Sequence, residues 1–272
     1  MRWALLADVH GNLEALRAVL RDLDGWPEHR LICAGDIVGY GPDPEACLEL
    51  LAERAATCVV GNHEQMVLGR LDFGRCVYAG IRAAIWTREH LSPWALGHLA
   101  SLPGVTRPAS DVVVCHAIPE DVQHYVTTAA SAERALAQAS LRHPGFDLLV
   151  CGHTHFAAFH RRDASFVWAQ PGASRRVVAG LTQLVNPGSV GQPRDGKQAA
   201  RYARFDSSTG ALSWHAVDYD VAPTLAKLRQ RRLVARVCYS FPQTWARRTF
   251  EGIRSKRAYQ RFKTLPPLHY SQ

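Results

Sequence analysis

Three observations in the sequence predict an α/β protein. Apolar runs end abruptly in polar residues five times within the first 155 positions, helical patterns lie between those runs, and the texture after residue 155 turns to β-like pieces separated by turn signals. Strands alternating with helices imply a layered α/β body. The later pieces suggest a second, mostly antiparallel sheet.

The elements follow in chain order. "WALLA" runs into Asp8-Val9-His10-Gly11-Asn12, and "NLEALRAVLRDL" then places Leu13, Leu16, Leu20 and Leu23 on one helical face. "LICA" runs into Gly35-Asp36, and Pro44 opens the helical pattern "PEACLELLAERA". "TCVV" ends in Gly61-Asn62-His63-Glu64. A helical region spans roughly 75 to 102, with Ser92-Pro93 reading as an N-cap followed by proline at the first helical position. "VVVC" then meets His116, and "LLVC" meets Gly152-His153-Thr154-His155. Apolar runs of this kind suit strands buried on both faces, and in open sheets ligands sit beyond the carboxyl ends of the strands. If the chain stays extended there, His153 and His155 point to the same side. The strand-like pieces beyond are "SFVWAQPG", "RRVVAGLTQLVNPGS", "ARYARFDSSTG" and "ALSWHAVDYD". Leu225 and Leu228 then mark an apolar helix face in "LAKLRQRRLVARV".

Composition bounds the function. A chain of 272 residues with 47% apolar content can bury a sizeable core. No run reaches the length of a membrane helix, and the apolar start is too short for a signal peptide, so a cytoplasmic protein without membrane contact is expected. Seven cysteines with no C-x-x-C pair read as reduced thiols serving as small core residues. The formal charge of +8 is uneven: residues 221 to 272 carry twelve Lys or Arg against one acidic residue, Glu251, a local +11, which leaves 8 − 11 = −3 for residues 1 to 220. The positive charge therefore belongs to the tail and says little about the body's ligand.

The polar endings collect Asp8, His10, Asp36, Asn62, His116, His153 and His155, with His63 beside them. A His-x-His pair alone is weak evidence, because such a pair is more often two surface histidines than a metal site. Two carboxylates, one amide oxygen and four imidazoles form a nitrogen and oxygen set that suits Mn, Fe, Zn, Co or Ni better than Mg or Ca. Seven ligands are too many for one tetrahedral site and fit two ions sharing a bridging carboxylate.

The ordered set D-x-H, G-D, G-N-H-E, H, G-H-x-H resembles the calcineurin-like metallophosphoesterase superfamily. The wording "DVHGN", "GDIVGYGPDP", "GNHE", "CGHTHF" and "NPGSVGQPRDG" is similar to its small bacterial and archaeal phosphodiesterase or phosphatase branch. The likeness covers about residues 1 to 220, which implies a catalytic domain over 1–220 and a C-terminal helix with a basic extension over 221–272. The implied fold is a four-layer αββα sandwich of two mixed sheets flanked by helices. The implied cofactors are two divalent transition-metal ions, manganese foremost. Asp8, His10, Asp36 and His155 would hold one ion and Asp36, Asn62, His116 and His153 the other, with Asp36 bridging. His63 matches the family's catalytic histidine, acting with Asn62 and Asp36. The implied activity is hydrolysis of phosphomono- or phosphodiesters of a small molecule or nucleotide by a metal-bridging hydroxide.

Asn12 has two equal readings, a phosphate contact or a brace for the loop after His10. Arg194 has two as well, a phosphate clamp or a solvated arginine paired with a neighbour such as Asp195. Tyr40 stands where the protein phosphatase branch carries its phosphate-binding arginine in G-D-x-V-D-R-G, which counts against a protein phosphatase. "HAIP" replaces the branch's usual H-G-S-P, so a bulkier Ile118 is expected to reshape the pocket. Nucleic acid is the alternative substrate, since the tail mixes cations with aromatics.

Overall fold

The computed structural model describes residues 1–162 and 165–239. Helices and strands alternate from the N-terminus: β1 (Arg2–Leu6), α1 (Leu13–Asp24), β2 (His29–Cys33), α2 (Pro44–Glu53), β3 (Thr57–Cys58) and α3 (Asn62–Val67). The long helical region divides into α4 (Tyr78–His90) and α5 (Pro93–Ser101), and the Ser92 side chain accepts from Ala95 N at the break, as an N-cap should. Next come β4 (Val105–Ala109), β5 (Val112–Cys115), α6 (Ala129–Arg142) and β6 (Leu148–Val150). The sequence reading overlooked α6, although Thr128 and Ser131 form a reciprocal cap at its start. Its alanine-rich face lacks the long leucine stripe that marks α1.

The second half supplies β7 (Ala158–Arg161), β8 (Val167–Trp168), β9 (Ser174–Arg176), β10 (Gln183–Asn186), β11 (Ala199–Asp206), β12 (Ala211–Asp218) and α7 (Ala222–Gln230). These strands do not build a sheet of their own. They divide between two six-stranded sheets, in the orders β3-β2-β1-β11-β12-β9 and β4-β5-β6-β10-β7-β8. In the first, β1, β2 and β3 run parallel and β11 joins β1 antiparallel, Leu5 facing Ala203. In the second, β5, β6 and β10 run parallel while β4 and β7 are antiparallel to their neighbours. Both sheets are mixed, as the family resemblance implied.

Period-two alternation builds the layers. Trp3, Leu5 and Ala7 face Val112, Val114, Leu148 and Val150 in a core between the sheets. Ala4, Leu6, Leu31 and Cys33 point outward beneath α1, α2, α4 and α5. Val113, Cys115, Leu149 and Cys151 point outward beneath α6. Helices, sheet, sheet and helix make the four layers. Ile118 packs with Val126 in this last core, two residues after His116. The cysteines are free thiols, and Cys33, Cys47, Cys115 and Cys151 are buried.

Residues beyond 220 are joined closely to the body as far as they are described. Leu228, Leu233 and Val237 pack with Ala83. Lys227 pairs with Glu14 at 2.6 Å and with Asp43, and Arg231 donates to Asp43 at 3.1 Å. A chain ending at residue 220 is therefore expected to melt well below one ending at residue 239, because each buried leucine or valine contributes about 1.5–3 kcal/mol. Equal melting temperatures for the two chains would show that this packing contributes nothing. The basic stretch that follows lies outside the described residues.

Candidate metal centre

The carboxyl ends of β1, β2 and β3 meet those of β5 and β6 across the sandwich, and each end delivers its polar residues to one place. Backbone bonds weld the junction: Gly152 N donates to His116 O at 2.7 Å, and Gly191 N donates to Asp8 O at 3.0 Å. The His153 amide donates to Asp8 Oδ1 at 3.1 Å, linking the two sheets directly.

Asp8, His10, Asp36, Asn62, His63, His116, His153 and His155 are all between 0% and 6% exposed. They form three adjoining clusters, Asp8-His10-His155, His10-Asp36-His63 and Asp36-His116-His153, and within each the potential ligand atoms lie within 4.8 Å of one another. Asp36 Oδ2 is 3.2 Å from His116 Nε2 and 3.7 Å from His10 Nε2. Asn62 Oδ1 lies 3.0 Å from His116 Nε2, and His10 Nε2 lies 3.1 Å from His155 Nε2.

The local backbone is unusual. Asp8, His10, Asp36, His153 and His155 all have φ between 50° and 67°. This left-handed conformation is costly for residues with a Cβ and collects at functional sites. His153 and His155 therefore share a side because the chain turns at each of them, not because the strand continues. β6 has already ended at Val150.

Surrounding groups orient the imidazoles. The Nδ1–H of His10 donates to Val38 O at 3.0 Å, that of His116 to Ala34 O at 2.7 Å and that of His155 to Gln192 O at 2.6 Å. His10 and His155 are thus held in the tautomer that leaves Nε2 with a free lone pair, the arrangement used by metal-ligating histidines, whereas Nε2 of His116 shares a proton with Asp36 Oδ2 at 3.2 Å, a proton that a bound cation would displace. Glu64, within the GNHE motif, was not singled out from the sequence. Its buried carboxylate accepts from Asp36 N at 2.8 Å, Val38 N at 3.0 Å and Gly61 N at 2.6 Å, fixing both ligand-bearing loops. A Glu three residues after a helix-capping Gly is the signal that could have revealed it.

The charges suit cations. Burial pushes the Asp8 carboxyl up, with His116 only partly offsetting it. Burial opposes ionisation of Asp36 too, but His116 and His63 beside it hold its carboxyl well below the usual range. Burial would lower His116, yet the Asp36 charge outweighs it and pushes the imidazole up to about 9. Burial drives His10, His153 and His155 well below their ordinary value, so they are neutral donors at pH 7. Asp8 Oδ2 and His153 Nε2 are buried without a hydrogen-bond partner. A buried orphan lone pair is costly, and a bound cation resolves both. The donor set fits divalent ions, transition metals above all.

A family model, the calcineurin-like phosphoesterase superfamily domain, matches residues 1–210. The chain belongs to that superfamily. An uncharacterized protein of Methanocaldococcus jannaschii is 31% identical over 233 residues, covering 85% of this chain and 93% of the relative. The crystal structure of a metallophosphoesterase from Sphaerobacter thermophilus superposes with a TM-score of 0.73 at 33% identity, covering 86% of this chain and 95% of that one. A hypothetical protein from Pyrococcus horikoshii shares the fold with a TM-score of 0.66 at 17% identity over 86% and 94% of the two chains. This calcineurin-like phosphoesterase is thus a metal-dependent hydrolase with buried His/Asp clusters. Among the described residues, no helix is long and apolar enough to cross a membrane.

Two residues stand beside the clusters. Asn12 Oδ1 accepts from Ala15 N at 3.2 Å as the N-cap of α1, while Nδ2 donates to Gly191 O and Tyr219 Oη, each at 2.9 Å. The Asn12 side chain thus braces the loop after His10. Asp195, the neighbour expected to neutralise Arg194, instead takes Arg201 through two bonds of 2.9 and 2.7 Å. Arg194 donates to Tyr125 Oη at 3.3 Å and acts electrostatically on Asp8, His10, His63, His153 and His155. Its positive charge overlooks the whole centre.

Proposed function

We propose that this calcineurin-like phosphoesterase hydrolyses phosphomono- or phosphodiesters of a small molecule or nucleotide, using two divalent ions, manganese foremost. The supporting observation is the run of three adjoining, buried His/carboxylate clusters with the Arg194 charge beside them, in electrostatic reach of Asp8. In this reading Asp8, His10, Asp36 and His155 hold one ion, Asp36, Asn62, His116 and His153 hold the other, and Asp36 bridges. When bound, the ions supply Lewis acidity and bring the pKa of water near neutrality.

The chain's own residues do the rest. Asp8 and Asp36 offset part of the ionic charge, leaving a net positive site that attracts phosphate. Arg194 binds a non-bridging phosphoryl oxygen through its guanidinium. Asn62 orders the phosphoryl group, and His63 hands a proton to the departing oxygen. Asn12 is left out of the substrate set, because its side chain braces the loop after His10. Residues 1–220 form the catalytic domain and 221–272 a C-terminal helix with a basic extension.

Replacing Arg194 by Gln should raise KM for a phosphomonoester by about tenfold to a hundredfold, the worth of a charge-assisted hydrogen bond. Metal content should not change. An unaltered KM would return Arg194 to a purely structural role.

The test of the function is a metal-reconstituted screen of a phosphomonoester, a phosphodiester, nucleotides and single-stranded DNA. Turnover of small phosphoesters supports the reading, and inactivity on every phosphoester with both metal positions filled would sink it. A nuclease is the second reading, motivated by the local charge of +11 over residues 221 to 272. Deleting residues 245 to 272 should leave turnover of a small phosphoester nearly unchanged. Salt-sensitive DNA binding that disappears with the deletion would favour the nuclease.

A further inference from the structure

The rim of the metal centre carries an aromatic side chain that none of the chemistry above employs. Tyr125 lies on the loop after His116, and its ring stacks on His153 with centroids 4.4 Å apart and an interplanar angle of 25°. With one face so covered, the residue still keeps 48% of its surface open. The Arg194 guanidinium carbon stands over the ring at 6.0 Å from its centre, and its Nη1 bonds the hydroxyl at 3.3 Å, so the arginine flanks the hydroxyl end of the ring. With His153 stacked on one face, the surface that Tyr125 leaves exposed among the described residues lies on the rest of the ring. What sets this ring apart from equally exposed aromatics such as Trp94 and Trp168 is its place, stacked on a residue of the His/Asp clusters and bonded to Arg194.

Hydrogen bonds and an ion pair support this ring from several sides. His153 is itself held by the backbone amide bond to Asp8 and by a bond to the Gln123 backbone. The Tyr125 loop is tied down by Arg75, which donates to Asp121 at 3.0 Å. The loop bearing Arg194 is clamped on both sides, Tyr239 N donating to Pro193 O and Gly196 N to Tyr239 O, each at 2.9 Å. A guanidinium and a planar ring are therefore presented side by side at the edge of the metal clusters. This pairing matches a ligand that joins a phosphate to a flat, stackable group.

Resting on the phosphoesterase reading, we propose that Tyr125 is a specificity-determining residue and that the substrate class is nucleoside phosphates, the base stacking on the exposed ring of Tyr125 while Arg194 takes the phosphate. Every base has a π-face, so this contact selects for a base without choosing among bases. The Tyr125 hydroxyl serves Arg194 and the ring serves the substrate, so the two functions of one side chain are separable by mutation.

Adenosine 5′-monophosphate and ribose 5-phosphate share the same ester linkage and differ by the base. With metal-reconstituted full-length protein, the wild type should show a KM about tenfold or more lower for the nucleotide, as a base–aromatic stack provides. Tyr125→Leu should collapse the nucleotide-to-sugar ratio toward one, and Tyr125→Phe, which keeps the ring, should preserve it. Equal KM values in the wild type, or a Tyr125→Leu variant that weakens both ligands by the same factor, would overturn the proposal. Calorimetric binding of the two ligands separates this from the activity itself. A protein that binds the nucleotide over the sugar phosphate yet hydrolyses no phosphoester would retain the stacking site and lose the hydrolase reading.

Discussion

Asp36→Asn should strip both metal positions at once, with loss of at least about a hundredfold in metal affinity, since even outer partners of ligands are worth about tenfold to a hundredfold. Asp36 belongs to two of the three clusters, and Oδ2 reaches His116 Nε2 at 3.2 Å and His10 Nε2 at 3.7 Å. The amide keeps the shape of the side chain but removes the negative charge that two cations would share. Its other oxygen, Oδ1, accepts from His63 N at 2.9 Å, a bond the amide oxygen of Asn can still make, so the loop geometry should survive. Phosphoester hydrolysis should collapse with the metal. Elemental analysis of the purified variant is the measurement, and two ions retained at wild-type affinity would refute the bridging role.

His63→Gln should behave differently, keeping both ions while losing activity in a way that depends on the leaving group. His63 is 3% exposed, stacks edge-on against His10 at 4.9 Å between centroids and packs on Tyr40 at 4.6 Å. Burial lowers its imidazole to about 4, against the pull of Asp36, so in the free protein it is neutral at pH 7. The charge of an arriving phosphate favours the imidazolium, which places the proton where the departing oxygen needs it. General acid help is worth about a hundredfold to ten-thousandfold and matters least for a leaving group already stable as an anion. The variant should therefore lose most activity on an alkyl phosphoester and distinctly less on a nitrophenyl ester. Equal losses would assign His63 to stabilising the phosphoryl oxygens instead. Loss of metal together with activity would make it a ligand, a role its place beside His10 and Asp36 leaves geometrically open.

The ligand-bearing endings were legible because they are written in residue types that have few other uses in that order. An apolar run must stop where its strand leaves the core, and carboxylates and imidazoles placed at five such stops converge whenever the strands are parallel neighbours. The α1 stripe, the Ser92 cap and the buried two-faced strands were readable for the same reason: each is a local pattern whose physics spans only a few residues.

Other features depended on partners far away in the chain. β11 joins β1, pairing Ala203 with Leu5, so the later strands complete both sheets, a choice that no local pattern encodes. Nothing near Asn12 in sequence announces Gly191, Tyr219 and Thr224, which hold its side chain. Arg194 lost its adjacent Asp195 to Arg201, and Tyr125 acquired its place through His153. The left-handed turns at His153 and His155 are held by Asp8 and Gln192, both far from them in the chain. The sequence by itself determined the family, the α/β class and which polar residues end the apolar runs, because these follow from ordered motifs, residue type and short-range periodicity. Only the tertiary structure decided which side chains brace, which remain free to meet a substrate and which aromatic ring stays exposed, because hydrogen bonds and ring stacking are settled by neighbours brought together from distant parts of the chain.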